Sequence, residues 1–134
     1  MKNLALIASF LGLMPWSAAV LPHGAEWELR VVGQKIAFYD ATVRTSPKKP
    51  RPGRLHVELQ LIDPETLTYV DRASASAVAR LRDGEETAPV YSRYQHPWHE
   101  MDIVLGRPGS WDVVLAIDAP RAQGKLSFRV DVSD

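Results

Sequence analysis

The sequence predicts an all-β protein, a sandwich of two antiparallel sheets with about seven strands. Apolar and polar residues alternate in short runs, and Gly, Pro and Asp separate those runs at roughly even spacing. Alternation with a period of two places the apolar side chains on one face of a strand. No segment after residue 19 keeps the 3.6-residue period of an amphipathic helix. Many short, evenly spaced strands favour a sandwich.

The first three predicted strands are separated by a glycine and by a proline-rich loop. Residues 27–31 alternate large apolar residues with charged ones, which predicts a half-buried strand that ends at Gly33. Residues 36–45, IAFYDATVRT, predict a second strand. Residues 46–53 predict a loop, because three prolines cannot occupy the interior of a sheet. Leucine and valine then alternate with polar residues over 55–61, which predicts the third strand.

The second half of the chain predicts the remaining strands. Residues 69–81 leave two alternatives open, because SASAVARL fits either a strand or one helical turn, and alanine favours helix. Alternation over residues 101–105, 111–117 and 126–132 predicts three further strands. We expect an immunoglobulin-like topology, although the pattern does not give the order of the strands.

The N-terminus is typical of a secretory signal peptide. Residues 4–14, LALIASFLGLM, are an unbroken run of apolar and small residues, and Ser17-Ala18-Ala19 provides a cleavage site. The run is shorter than the ~20 residues that cross a bilayer, which favours cleavage over an uncleaved anchor. We therefore expect a signal peptide over residues 1–19, a single domain over residues 20–134, and a periplasmic or secreted protein.

The composition excludes several classes of function. The chain has no cysteine, which rules out disulfides, thiolate metal sites and thiol catalysis. Without Lys2, the exported chain carries 15 basic and 16 acidic residues, so it has no overall field to attract nucleic acid or an anionic membrane. The motifs GxSxG and HExxH, a phosphate-binding glycine loop and a dinucleotide fingerprint are all absent from the sequence. We expect a protein that is not an enzyme.

Candidate metal ligands cluster in HPWHEM, residues 96–101. Residues two apart on a strand share a face, so His99 and Met101 point the same way, and His96 lies within reach of the same point. Imidazole and thioether ligands suit copper(I) or copper(II). The alternative follows from the same alternation: Met101 is in register with the apolar residues after it, and its sulfur would then fill the core.

Two further histidines lie outside this cluster. Cleavage after residue 19 puts His23 at the fourth position, and Pro22 has no amide proton to lose, so an N-terminal copper chelate is disfavoured. His23 is still a candidate fourth ligand if the N-terminal arm lies beside the loop before Met101. His56 is on the polar phase of its strand, and we interpret it as a solvent-facing residue.

A second function is compatible with the same stretch, a metal-free interaction module that docks on a membrane complex or a larger exported protein. Trp98, Tyr94 and Tyr91 would then be exposed anchors, because aromatic residues are enriched at the centres of interfaces.

Two turns and the strands around them resemble a known group of proteins. The turn DPET at 63–66 follows LHVELQLI, and the turn PGSW at 108–111 follows MDIVLGR. Over most of residues 26–132 the chain resembles the YtkA-like and FixH-like small exported sandwich domains of bacteria. The resemblance implies copper handling or support for the assembly of a respiratory or membrane metalloenzyme. The chain departs from FixH in lacking a convincing retained membrane helix and from cupredoxins in lacking cysteine, which excludes a blue-copper electron carrier.

Overall fold

The structure is a computed structural model that describes residues 26–134. The predicted signal peptide over residues 1–19 and the candidate ligand His23 lie outside the described residues. The predicted boundaries of the exported domain, 20–134, therefore stay a prediction. Within the described part of the chain, no helix is long and apolar enough to cross a membrane.

Ten strands form within residues 26–134, and seven of them are at least eight residues long. They are β1 (Glu28–Ile36), β2 (Tyr39–Ser46), β3 (Gly53–Asp63), β4 (Thr68–Tyr69), β5 (Ser74–Leu81), β6 (Val90–Tyr91), β7 (Arg93–Gln95), β8 (Trp98–Leu105), β9 (Gly109–Ala119) and β10 (Ala122–Val132). The long strands correspond in number to the prediction. Each of the three short strands pairs with two or three residues of a long strand.

The strands form two antiparallel sheets. The larger sheet has the order β1-β2-β3-β8-β7, with β4 paired to the end of β3, and the smaller has the order β10-β9-β5-β6. If β2, β3, β5, β7, β8, β9 and β10 are read as strands A to G, the two sheets contain the sets ABED and CFG of an immunoglobulin domain. The predicted two-sheet sandwich is confirmed, and β1 adds an outer strand to it.

The core lies between the two sheets and is formed by the alternating apolar rows. Trp111 of β9 is fully buried, and its indole Nε1 donates a hydrogen bond to the backbone oxygen of Arg107 at 3.0 Å. Ile103 and Leu105 of β8 lie in the same core, as do alternate residues of β3 such as Val57. Because β3 and β8 each bury one face completely, their opposite faces both point outward and can form a site.

Three local features differ from the sequence pattern or complete it. β1 continues past Gly33 to Ile36, because Gly33 adopts a φ of 62° and the pairing with β2 shifts register on both sides of Val31. The chain then reverses at Ala37, so the predicted single strand 36–45 is divided between β1 and β2. The ambiguous SASAVARL stretch is strand β5, which is held between β9 and β6.

Candidate metal centre

A cluster of charged side chains lies on the outer face of the larger sheet. β3 and β8 are neighbours there, and their register places His56 opposite Asp102 and Glu58 opposite Glu100. On the other side of β3, Arg44 of β2 lies opposite Glu58. Alternate residues of a strand share a face, and directly opposed residues on neighbouring strands have Cβ atoms roughly 5 Å apart. Pairing of the three strands therefore gathers these five side chains.

Glu58 is the centre of the cluster, and its side chain is only 4% exposed. Its Oε1 accepts a hydrogen bond from Arg44 Nε at 2.8 Å and forms an ion pair with Arg44 Nη2 at 2.7 Å, while its Oε2 lies 3.1 Å from His56 Nε2. Burial by itself raises the pKa of the Glu58 carboxyl, but the hydrogen bonds and charges of His56 and Arg44 outweigh burial and lower it. Glu58 is a buried carboxylate that keeps its charge.

His56 is held between two carboxylates. Its Nδ1 donates a hydrogen bond to Asp102 Oδ1 at 2.8 Å, and the Trp27 indole meets the imidazole edge-on with ring centroids 5.9 Å apart. The hydrogen bond to Glu58 raises the pKa of His56 to about 9; burial opposes this, and Asp102 adds to it. The ring is thus fixed with Nε2 directed at Glu58.

Glu100 completes the acidic side of the cluster. It is half-buried, and its Oε1 lies 3.8 Å from Arg93 Nη2. Burial raises the pKa of Glu100, and the neighbouring Glu58 carboxylate raises it further. Because the pKa of Glu100 is raised and that of Glu58 is lowered, Glu100 is the carboxyl of this pair that binds a proton first as the pH falls.

Two tryptophans enclose the arginine that binds Glu58. The centre of the Arg44 guanidinium lies 4.0 Å from the Trp27 ring centroid and 4.1 Å from that of Trp98. A guanidinium stacks favourably on an aromatic face, and the contact strengthens as water is excluded. The two indoles and Arg44 therefore form a cover over Glu58, which explains why a residue on the outer face is buried.

Three residues of the cluster present atoms that bind metals. His56, Glu58 and Glu100 each offer one ligand atom, and these atoms all lie within 4.8 Å of one another. One imidazole nitrogen and two carboxylate oxygens form a donor set for a divalent cation, and thioether and thiolate are the ligands that favour copper(I). Asp102 binds the other nitrogen of His56, as outer carboxylates do at many metal-bound histidines.

Two of the metal ligands predicted from the sequence point away from this face, into the core. Met101 is 2% exposed and belongs to the core cluster, as the alternative interpretation of its strand requires. His99 is 1% exposed; its Nε2 donates to the backbone oxygen of Val70 at 2.8 Å, and its Nδ1 has no hydrogen-bond partner within the described residues. Burial lowers the pKa of His99, so the imidazole is neutral there.

His96, the remaining described candidate, lies in an exposed turn. Its Nδ1 is 2.8 Å from the Tyr94 hydroxyl, and the Tyr69 ring meets it edge-on at 5.2 Å. Because the Met101 sulfur is enclosed in the core, these positions do not support a shared rim site of His96, His99 and Met101.

The three aromatic residues predicted as exposed anchors have different surroundings. Trp98 is half-buried against Arg44, and the half-buried Tyr94 packs on His99 with ring centroids 4.7 Å apart. Tyr91 is 74% exposed. Trp98 and Tyr94 are thus partly used in packing, whereas Tyr91 is open to solvent, and the role of the three residues as partner anchors stays a prediction.

Sequence reasoning missed the cluster because it interpreted His56 as solvent-facing. The structure corrects that interpretation: the His56 side chain is 17% exposed and has two carboxylate partners. The local signals are H-x-E on β3 and E-x-D on β8, two short charged rows that alternate with buried residues. They indicate a site only once β3 and β8 are known to be neighbours, and the sequence pattern does not give that pairing.

Comparison with known proteins gives structural neighbours but no relative by sequence. No protein-family model matches the chain, and no curated protein sequence matches it. A copper-bound glutamate-to-glutamine variant of FetP from uropathogenic Escherichia coli strain F11 superposes with a TM-score of 0.57 at 8% identity, covering 80% of this chain and 97% of that one. The 'as isolated' form of FetP of strain F11, expressed recombinantly in the periplasm of E. coli BL21(DE3), has a TM-score of 0.55 at 10% identity, covering 79% of this chain and 95% of that one. At these identities the similarity shows a shared fold, and the specific resemblance to YtkA-like and FixH-like domains stays a prediction.

Proposed function

We propose that this chain is an exported domain that binds a divalent metal ion, copper(II) foremost, through His56, Glu58 and Glu100. The observation that carries the proposal is the convergence of three ligand atoms within 4.8 Å of one another on paired, adjacent strands. Strands in the middle of a sheet hold side chains more firmly than loops do, which favours a defined site.

The chain's own groups prepare His56 for this role. A metal-binding imidazole must be neutral, so Nε2 has to lose its proton, and the hydrogen bond from Nδ1 to Asp102 keeps the second proton on the other nitrogen. Glu58 is already ionised and needs no such change. Binding of the cation therefore releases protons from the cluster, and affinity rises with pH.

Two arguments support copper(II) among the divalent cations. Sites of nitrogen and oxygen donors bind Cu²⁺ more tightly than other divalent first-row metals, by the general order of complex stability. A glutamate-to-glutamine variant of the structural neighbour FetP has been described in a copper-bound form. Copper(I) is disfavoured because the Met101 thioether lies in the core, away from the cluster.

Wider aspects of function follow from the sequence and remain proposals. The predicted signal peptide and the similarity to FetP produced in the periplasm support a periplasmic or secreted domain. The absence of catalytic motifs from the sequence supports a metal-handling role rather than an enzymatic one. Support for the assembly of a respiratory or membrane metalloenzyme, with an exported or membrane protein as partner, rests on the family resemblance alone.

The test is a copper(II) titration of the exported protein against a competing chelator. His56→Ala and Glu100→Gln should each weaken binding by roughly 100-fold or more, beyond the 10- to 100-fold that loss of an outer partner costs. His96→Ala is the matched control, because it removes an exposed histidine outside the cluster, and it should leave the affinity unchanged. Circular dichroism verifies that each variant is folded. If His96→Ala abolishes binding while His56→Ala does not, the site is in the 96–101 stretch and the proposal is wrong.

A further inference from the structure

Arg44 is held by more contacts than a surface arginine usually makes. Its guanidinium lies between the faces of Trp27 and Trp98, at 4.0 and 4.1 Å from their ring centroids, and its edge faces the Glu58 carboxylate. Stacking on both faces fixes the plane of the group, so its N–H donors point in one direction.

The contacts between Arg44 and Glu58 are asymmetric. Arg44 Nε donates a hydrogen bond to Oε1 at 2.8 Å, and Nη2 lies 2.7 Å from the same oxygen in the ion pair. A bidentate arginine–carboxylate pair instead uses both carboxylate oxygens. Here Oε2 is left facing His56 Nε2 at 3.1 Å, and Glu100 offers a ligand atom within 4.8 Å of those of His56 and Glu58.

We propose that Arg44 is a positioning residue that fixes Glu58 as a one-oxygen metal ligand through Oε2, and that Trp27 and Trp98 hold Arg44 for this purpose. The inference rests on the proposed metal site. The Arg44 guanidinium occupies Oε1, so a cation bound beside His56 Nε2 meets one oxygen of Glu58. Arg44 does not have to move, because it occupies the oxygen on the far side of the carboxylate from His56.

This geometry gives Arg44 a part in metal selectivity. Calcium takes six to eight oxygen ligands and often binds both oxygens of a carboxylate, whereas copper(II) accepts few ligands including nitrogen. With Oε1 occupied and a positive charge beside it, Glu58 is a poor ligand for calcium. Removal of the guanidinium frees Oε1, so the preference for copper(II) over calcium should decrease.

The variants are chosen to separate charge from hydrogen-bond geometry. Arg44→Lys keeps the positive charge but loses the planar fork and the double stacking, and Arg44→Gln loses the charge as well. Arg93→Gln is the matched control, because Arg93 lies 3.8 Å from Glu100 but is 74% exposed at its side chain. Trp98→Leu removes one stacking face while it leaves Arg44 in place.

The measurement is the electron paramagnetic resonance spectrum of the copper(II)-loaded exported protein, together with its affinity in a chelator competition. Arg44→Lys should lower affinity by roughly 10- to 100-fold and change the copper hyperfine splitting, because the Glu58 oxygens are no longer fixed. Arg44→Gln should also raise calcium affinity relative to copper(II). Arg93→Gln should leave the spectrum unchanged and affect affinity by less than about fivefold.

The outcomes separate this inference from the proposed site. If the copper spectrum of His56→Ala is the same as that of the wild type, copper is bound elsewhere and the proposed function itself fails. If the spectrum depends on His56 but Arg44→Lys leaves both spectrum and affinity as in the wild type, Arg44 does not position Glu58. Should neither Arg44 variant fold, Trp98→Leu decides: a spectrum identical to the wild type overturns the inference, and a changed or mixed spectrum supports it.

Discussion

The stability of the metal-free protein should fall as the pH rises from 6.5 to 9, because His56 is a protonated partner of two carboxylates. Its pKa is raised to about 9, chiefly by the hydrogen bond to Glu58, whereas an unfolded chain leaves it near 6.5. A group whose pKa is higher in the folded than in the unfolded protein makes its full contribution to stability at pH values below its unfolded pKa. That contribution is lost as the pH rises through the pKa of the folded state. The loss therefore falls between pH 6.5 and 9.

The magnitude follows from the difference between the two pKa values. A shift from 6.5 to about 9 corresponds to about 3 kcal/mol of unfolding free energy, at 1.36 kcal/mol per pKa unit. Between these values the folded state retains one proton that the unfolded state has lost, so stability falls by about 1.4 kcal/mol per pH unit. The His56 side chain is 17% exposed, so solvent screens the interaction little.

The assay is urea denaturation in the presence of a chelator at half-unit pH steps from 6 to 9.5, for the wild type and for His56→Gln. Glutamine can donate a hydrogen bond to a carboxylate but does not titrate, so the other titrating groups contribute equally to both proteins. The unfolding free energy of the wild type minus that of the variant should fall by about 1.4 kcal/mol for each pH unit between 6.5 and 9. A difference that stays flat from pH 7 to 9 would refute the arrangement of His56 between Glu58 and Asp102.

Three further predictions concern packing and ligand choice. Trp111→Ala should destabilise the protein by about 3–5 kcal/mol in the same denaturation assay, because it empties a fully buried site and removes the hydrogen bond to Arg107; a loss below about 1 kcal/mol would contradict the packing described. Met101→Leu should cost less than about 1.5 kcal/mol and leave copper(II) affinity unchanged, whereas a tenfold loss of affinity would identify the thioether as a ligand. Gly124→Ala should cost about 1–3 kcal/mol, because the added Cβ would lie 2.7 Å from Ile36 Cγ2. Gly106→Ala is its control, since a Cβ there meets no atom within 4 Å, and equal losses in the two variants would contradict the steric explanation.

The fold could be predicted because its determinants are local. Period-two alternation marks the buried face of each long strand, and the row that begins at Met101 lies in the core as that alternation requires. Turn residues mark where most of the runs end, with the turn at Ala37 as the exception. The stretch 74–81 was ambiguous because alanine has a high helix propensity, which pairing of Ala77 with Leu115 on β9 overrides.

The site could not be predicted from local pattern, because its geometry depends on pairing between distant strands. Glu58 and Glu100 are opposite each other only through the β3–β8 register, and Arg44 reaches Glu58 only through the β2–β3 register. In the sequence, a polar residue that alternates with apolar residues along a strand is expected to be exposed to solvent. Burial of Glu58 arises instead from two tryptophans that come from separate parts of the chain.

Arg44 and His56 together satisfy the carboxylate of Glu58 before any cation arrives. Zinc fingers, by contrast, remain unfolded until their ion is present. Because the central acid of this sandwich already has internal partners, the domain should fold without a cation. If the proposed site is correct, removal of the ion by a chelator should therefore empty the site and leave the β-sandwich intact.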